Sequence, residues 1–448
     1  MNAGAVRGLE PLFASDEMRA AEAGHDVAAM MERAGRAVAE EALRRFPDAR
    51  RFGAVCGGGA NGGDGRVALE VLRAAGREAA EGLEGDVLID ALFGTGFRGP
   101  PRPAAAQSIR ALNESPAPVV SVDVPSGVDA DTGEVAGEAV RATVTVTMHA
   151  PKVGLEVAPG RFHAGEVVVA DIGIPGVPTR HLRATAELLS VVPPKLPWHS
   201  KYDASVLVVG GAPGTTGAAC LAAEAAFRAD AGYVAVCAPR ESLPVIETRL
   251  LEAVKRPLEE AAEAAGRATA LALGPGLGRS DDRGELVARL LRETGLPAVV
   301  DADALWRLEP VERDAPTVLT PHAGELGRLL GESSDWVDAH RLEAVRRAAA
   351  RFRCTCLLKG ADTLVAEPDG SVVVCGLGPP SLATAGSGDV LTGVIAAFLA
   401  KGLPGRLAAA AASVACGLAA SLRPAAGLVA SDVVGALPQV LAARDERA

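Results

Sequence analysis

The stretch SVLVVGGAPGTTGAACLAAEAAFRADAGYVAVCAP, residues 205 to 239, constrains the fold more than any other part of the chain. An apolar run, a glycine loop, an alanine-rich helical segment and a second apolar run read as a βαβ unit. Unbroken apolar runs such as 206–209 and 234–237 are what parallel strands covered on both faces require. The same alternation continues through runs at 270–273, 298–300, 317–319 and 356–358, which predicts a parallel sheet flanked by helices. A second glycine-rich turn lies far upstream in FGAVCGGGANGGDGRVALEVLRAAG, residues 52 to 76, with a helical pattern from Val67 onward. The two turns share only their glycine content, so they are not an internal repeat. Between them, residues 171–203 lose periodicity and carry prolines and mixed charge, which places a boundary near residue 184. The expectation is an α/β protein of two three-layer αβα domains, residues 1–183 and 184–448.

Composition narrows the partners. Fifty-six acids against 45 bases leave a net charge of -11, the wrong sign for an electrostatic nucleic-acid binder. A nucleotide ligand remains compatible, because backbone amides commonly hold small phosphates. The longest uncharged stretches, 407–422 and 390–400, fall short of the ~18 to 20 apolar residues a bilayer requires, so no membrane partner is expected. The first 18 residues carry no apolar core of a signal peptide. Seven cysteines at irregular spacing predict no disulfide framework. Cys354 and Cys356 read as small core residues in a reducing cytoplasm rather than zinc ligands. The alanine-rich window 259–270 reads as a solvated helix.

Gly57, Gly59 and Gly62 form a GxGxxG turn, a weak signal alone that is equally compatible with a structural glycine turn. Its continuation, Asn61-Gly62-Gly63-Asp64-Gly65, places an amide and a carboxylate at the loop tip, which a plain dinucleotide turn does not need. The segments VLIDALFGTG, residues 87 to 96, and VVSVDVPSGVD, residues 119 to 129, are strands that deliver acids and a hydroxyl at their carboxyl ends. Parallel sheets bind ligands there, so Asn61, Asp90, Asp123 and Ser126 are expected in one crevice. Such oxygens suit a hard cation or ribose hydroxyls, the bland alternative being helix caps.

In the second half, GPPSLATAGSGDVLTGV, residues 378 to 394, is the most informative segment. Gly386-Ser387-Gly388-Asp389 precedes an apolar helix, so free amides of residues 386–388 form an anion hole with Asp389 beside it. A carboxylate next to such amides is what phosphoryl transfer to a hydroxyl requires. The competing reading is a capping Asp in a tight turn. GxxxxGK[ST] is absent, which excludes a P-loop enzyme. The segments 273–278, 301–305, 320–325 and 358–363 each follow an apolar strand and are expected on the same rim. They bring His322 as a candidate ligand contact and Lys359 as a candidate phosphate partner.

These strings together resemble the bifunctional NAD(P)H-hydrate repair enzymes. The likeness runs from MMERAG, residues 30 to 35, through HAPKVGL, residues 149 to 155, and GEVVVADIGIP, residues 165 to 175, to the helix after Asp389. The resemblance implies a Rossmann-like N-terminal epimerase domain and a C-terminal ribokinase-like dehydratase domain. It implies as substrate NADH or NADPH hydrated at C6 of the nicotinamide ring. The first domain would interconvert R and S epimers, and the second would restore the dinucleotide from the S epimer with ADP, releasing AMP and phosphate.

Carried over by motif, Asn61, Asp90 and Ser126 resemble potassium ligands. Asn61, Gly62, Gly63 and Asp64, the loop Gly94, Thr95, Gly96, Phe97, Arg98, Gly99 and Pro100, and Asp123 resemble contacts to the epimerase substrate. Ala218, Gly276, His322 and Asp389 resemble contacts to the hydrate. Lys359, Gly360, Ala361, Asp362, Thr363 and Gly388 resemble the adenine-nucleotide site. Asp389 is the expected base, Asp123 the expected acid–base group of the epimerase, magnesium the companion of the nucleotide, and a homo-oligomer the expected assembly. Ala60 stands where the family commonly has Asn. The nine residues between Gly76 and Asp86 are too few for the usual strand and helix, so a trimmed sheet with a shortened or missing edge strand is predicted. A ribokinase-like vitamin kinase, a non-catalytic nucleotide binder and a Rossmann dehydrogenase are the rival readings.

Overall fold

Strands buried on both faces need apolar residues at most positions, and such runs organise the N-terminal half. In the computed structural model, which describes residues 6–443, two units separate: residues 11–182 with 338–341, and residues 6–10 with 183–337 and 342–443. In chain order, β1 (Leu9–Leu12) precedes the strands of the first unit: β2 (Arg51–Cys56), β3 (Glu78–Glu81), β4 (Val87–Ala91), β5 (Val119–Val122), β6 (Val144–Met148) and β7 (Glu166–Ala170). These six form a sheet in the order β3-β2-β4-β5-β6-β7, parallel throughout. Every residue of β4, β5 and β6 is buried. Successive side chains leave opposite faces. Ile89 joins Val38, Ala42, Leu69 and Leu72 of the helices Val27–Arg45 and Ala60–Ala74, whereas Leu88 joins Ile109 and Leu112 of the helix Pro103–Glu114. Helices on both faces give three layers.

The predicted trimming takes a specific form. The edge strand β3 is present but only four residues long, and only residues 82–86 link it to β4 on the other side of β2. Parallel strands usually need a crossover of a dozen residues or more. The short link crosses directly over β2 at Gly53, where a Cβ would lie 2.8 Å from the Gly82 carbonyl oxygen. The Gly82 and Asp86 amides donate to the carbonyls of Ala54 and Arg51 on the strand beneath.

A second difference concerns the NGGDG segment, which is no loop tip. The helix starts at Ala60, so Asn61 and Asp64 stand one turn apart at its N-terminus. Close packing accounts for the glycines: a Cβ at Gly62 would sit 1.9 Å from the Gly57 carbonyl oxygen, and one at Gly65 would sit 2.5 Å from the Ala91 Cβ. Gly62→Ala is therefore expected to cost about 1–3 kcal/mol through overpacking. A lowered urea midpoint by circular dichroism checks this, and an unchanged midpoint contradicts it.

The strand β8 (His181–Ala184) and a 3-10 helix, Ala186–Val191, lie within the region read as a boundary. Beyond them come β9 (Ser205–Val209), β10 (Tyr233–Ala238), β11 (Val254–Pro257), β12 (Ala270–Leu273), β13 (Ala298–Val300), β14 (Thr317–Leu319), β15 (Thr355–Leu358), β16 (Thr363–Ala366) and β17 (Val372–Cys375). The order is β1-β8-β17-β16-β15-β14-β13-β12-β9-β10-β11. Strands β9 to β15 pair in parallel, and β16 runs antiparallel to both its neighbours. The order reverses at β9, whose neighbours are β10 and β12, and ligands of such sheets bind at that switch point. Window 259–270 is not one solvated helix. It holds a five-residue helix, Ala261–Ala265, with three buried alanines, and it ends in β12. Ser387–Ala400 and Thr216–Arg228 pack closely, a Cβ on Gly393 falling 2.1 Å from the Ala222 carbonyl oxygen.

Candidate functional site

Each unit gathers its polar side chains at the carboxyl ends of its strands. In the first unit, the loops after β2, β4 and β5 open onto a cavity of about 1220 Å3. Asp90, the last polar residue of β4, is wholly buried. It accepts from Ser121 Oγ at 2.9 Å, Ser126 N at 2.8 Å and Ser126 Oγ at 2.6 Å. Burial pushes its carboxyl pKa up, against the pull of the bonds from Ser126 and Ser121. Ser126 Oγ accepts from Phe93 N at 2.9 Å, and the Phe93 carbonyl accepts from Asn61 Nδ2 at 2.8 Å. Asn61, Asp90 and Ser126 are thus joined through Phe93.

Asp123 follows β5 with φ of 66°, in the left-handed region that Asp tolerates better than most residues. Its carboxylate lies 2.5 Å from Lys152 Nζ and accepts from Thr147 Oγ1 at 3.1 Å and Met148 N at 3.2 Å. Lys152 is wholly buried and also donates to Thr147 Oγ1 at 3.0 Å and the Met148 carbonyl at 2.7 Å. Asp64 and Glu22 line the same cavity as Asp123. Burial first, then the Asp123 and Glu22 carboxylates, push the Asp64 pKa up to about 7. Burial and then Asp123 raise that of Glu22.

In the second unit the loops after β9 and β12 clasp each other at the switch point. The Gly211 amide donates to the Pro275 carbonyl at 2.9 Å, and the Ala212 amide to that of Gly276 at 2.6 Å. Gly276 has φ of 58°, and a Cβ there would meet the Thr215 carbonyl oxygen at 2.4 Å. Asp389 lies in the first turn of Ser387–Ala400, whose N-cap Gly386 has φ of 88° and offers no side-chain cap; of the expected anion-hole amides, that of Ser387 donates to the Thr384 carbonyl at 3.4 Å. Lys359 Nζ, past the end of β15, donates to Asp301 Oδ1 at 2.8 Å and stands 3.8 Å from Glu325 Oε2. Thr392 Oγ1, on the Asp389 helix, donates to Asp301 Oδ2 at 2.8 Å. Burial opposes the charge on Lys359, but Asp301 and Glu325 outweigh it and raise its pKa. Burial, followed by the Asp301 carboxylate, pushes Asp389 up to about 7, Lys359 pulling the other way.

Comparison with known proteins matches both halves. The NAD(P)H-hydrate dehydratase family matches residues 206–438, and the family of the YjeF-related protein N-terminus matches residues 27–81 and 75–154. The bifunctional NAD(P)H-hydrate repair enzyme of Moorella thermoacetica is 36% identical over 92% of this chain and 92% of its own length. That of Pyrobaculum aerophilum is 38% identical over 92% of this chain and 93% of its own. The chain belongs to the bifunctional NAD(P)H-hydrate repair enzyme family. A solved ADP/ATP-dependent NAD(P)H-hydrate dehydratase of Bacillus subtilis, co-crystallized with ATP and magnesium and soaked with CoA, is 30% identical with a TM-score of 0.52. It aligns over 57% of this chain and 96% of its own. The two matches to the N-terminal family overlap at residues 75–81, the stretch that contains the shortened β3.

Within this repair-enzyme framework the residues singled out from sequence fall unevenly. Asn61, Asp64, Gly94, Thr95, Gly96, Phe97, Arg98, Pro100 and Asp123 line the first cavity, whereas Gly62, Gly63 and Gly99 are not among its lining residues. Gly62 packs on Gly57, and a Cβ on Gly63 would strike Met31 Sδ. Arg98 turns back to Asp131 and to Asp129 at 3.3 Å. His322 caps the helix Ala323–Leu330: its Nδ1 accepts from Gly324 N at 3.1 Å, while Nε2 lies 3.4 Å from Glu325 Oε1 on a half-exposed ring. Ala218 sits in the first turn of Thr216–Arg228, and Thr363 Oγ1 donates to the Gly360 carbonyl at 3.0 Å. Sequence reasoning gave no role to Lys152, Glu22, Asp301 or Glu325. A lysine framed by Pro151 and Val153 in an otherwise apolar string was the one available signal for the buried ion pair.

Proposed function

We propose that this chain repairs hydrated NADH and NADPH, its N-terminal unit interconverting the R and S hydrates and its C-terminal unit dehydrating the S hydrate with ADP. The observation that carries the reading is Asp389, a carboxylate near neutrality in the first turn of a helix, beside the Lys359–Asp301 pair. Asp389 takes the proton of the C6 hydroxyl, and that oxygen attacks the β-phosphoryl of ADP and displaces AMP. The amides of Gly386, Ser387 and Gly388 hold the charge on the transferring group. The ring nitrogen then expels phosphate, a far better leaving group than hydroxide, and loss of a C5 proton from the resulting iminium restores the dihydropyridine. Lys359 through Thr363 with Gly388 would hold the nucleotide, and Ala218, Gly276 and His322 would border the hydrate.

Magnesium would neutralise the diphosphate. Among the described residues no cluster of three His, Cys, Asp or Glu side chains is placed to hold a metal, so the nucleotide itself would carry it. Potassium fits the all-oxygen set of Asn61, Asp90 and Ser126, where it would offset the buried Asp90 charge and brace the loop at Phe93. All seven cysteines are free thiols, which suits a reducing cytoplasm.

The test is product analysis with S hydrate and ADP. AMP, phosphate and reduced dinucleotide in equal amounts are expected, and an accumulating phosphorylated hydrate would favour a kinase instead. The pH profile gives a second check. Asp389 must be ionised to accept a proton and its pKa is raised to about 7, so dehydratase kcat/KM is expected to fall as pH drops through that value. A profile flat from pH 8 to 5.5 contradicts this.

A further inference from the structure

The carbon that the N-terminal unit inverts carries both the hydroxyl and the ring nitrogen, so on the function proposed above its epimerisation is the mutarotation of a carbinolamine. That chemistry needs two groups: one to take the hydroxyl proton as the C6–N1 bond breaks, and one to protonate the departing nitrogen. Asp123 suits the first task, because its carboxylate is held against the buried Lys152 ammonium at 2.5 Å. We propose that Asp64 performs the second, as the proton donor to the ring nitrogen.

The geometry singles it out. Asp64 lines the same cavity as Asp123, on the first turns of a helix whose position is fixed by the contacts of Gly62 and Gly65. Among the described residues it forms no ion pair, and the nearby ammonium of Lys152 is committed to Asp123, Thr147 and Met148. The carboxylates of Asp123 and Glu22 act on it. The other charged or titratable groups lining the cavity are Arg19, His25, Arg98 and Arg102, of which Arg98 is turned toward Asp129 and Asp131. With its pKa near 7, a large fraction of Asp64 carries a proton at neutral pH and is available to give it up.

The step balances. Asp123 takes the hydroxyl proton, the oxygen pair closes the C6=O double bond, and the C6–N1 pair moves to N1, which receives the Asp64 proton. The open aldehyde turns about C5–C6 and N1 attacks the other carbonyl face. Asp64 regains its proton from N1 as Asp123 returns its own to oxygen. No water, oxidant or net proton is consumed.

The experiment follows R-to-S conversion of NADH hydrate by chromatography with full-length Asp64→Asn and Asp64→Glu, with dehydration of pure S hydrate as the measure of integrity. Asp64→Asn is expected to lower epimerase kcat at least ~100-fold with KM within a few-fold, as for a lost general acid. It should abolish the fall of wild-type rate above pH 7, leave dehydration unchanged, and be partly rescued by Asp64→Glu. Wild-type rate in Asp64→Asn, or loss of the basic limb in Glu22→Gln instead, overturns the assignment. Uptake of one solvent oxygen per inversion from labelled water overturns the ring opening. A wild-type chain no faster than spontaneous inversion contradicts the epimerase reading itself.

Discussion

Asp389→Asn is expected to lower ADP-dependent dehydration at least ~100-fold, the usual loss when a general base is removed. The substitution keeps the shape of the first turn and replaces only the group that accepts the proton. The surrounding amides and the Lys359–Asp301–Thr392 chain do not depend on Asp389 for their bonds. Nucleotide affinity, measured by calorimetry with ADP and magnesium, is therefore expected to remain within a few-fold of wild type. Near-wild-type turnover would remove Asp389 from its role, and a matching loss of ADP affinity would make it a binding group.

The second large effect concerns the buried pair of the N-terminal unit. Lys152→Met leaves Asp123, mostly buried, without its cation, and breaking such a pair from one side costs about 3–5 kcal/mol. The loss should appear as an early unfolding transition in a urea titration, with epimerase activity lost even where the unit is folded, because the ammonium that positions the Asp123 carboxylate is gone. The double variant Lys152→Met with Asp123→Asn removes both charges and is expected to regain most of the stability but none of the activity. A double variant no more stable than the single one would show that Lys152 acts through packing alone.

How much of this was legible in the sequence follows from burial. Strands β12, β13 and β14 occupy the very residues read from unbroken apolar runs, since both faces are covered and every position must be apolar. The strand-end rule likewise put Asp90, Asp123 and Lys359 at or just past the carboxyl ends of β4, β5 and β15. What failed were elements whose local composition opposes their structure. A helix beginning at Ala60 through NGGDG runs against glycine's low helix propensity, and only tertiary packing on Gly57 and Ala91 explains it. The shortened edge strand expected from the short connection is β3, EAAE, whose little β propensity and lack of apolar alternation hid its position; it is held by its ladder to β2. The Lys152–Asp123 pair joins residues far apart in the chain, and no local pattern announces such a contact. Asp301 lay within a segment already placed on the rim, but its role as the partner of Lys359 required the strand order to be known.

The account stands most directly on a single time course: chemically prepared mixed-epimer NADH hydrate incubated with the chain, ADP and magnesium, with near-ultraviolet absorbance followed to completion. Recovery of all the reduced dinucleotide, with no break at the S fraction and faster than uncatalysed inversion, is the predicted result. A fast phase that stops at the S fraction would contradict the epimerase half, and no recovery at all would contradict the whole.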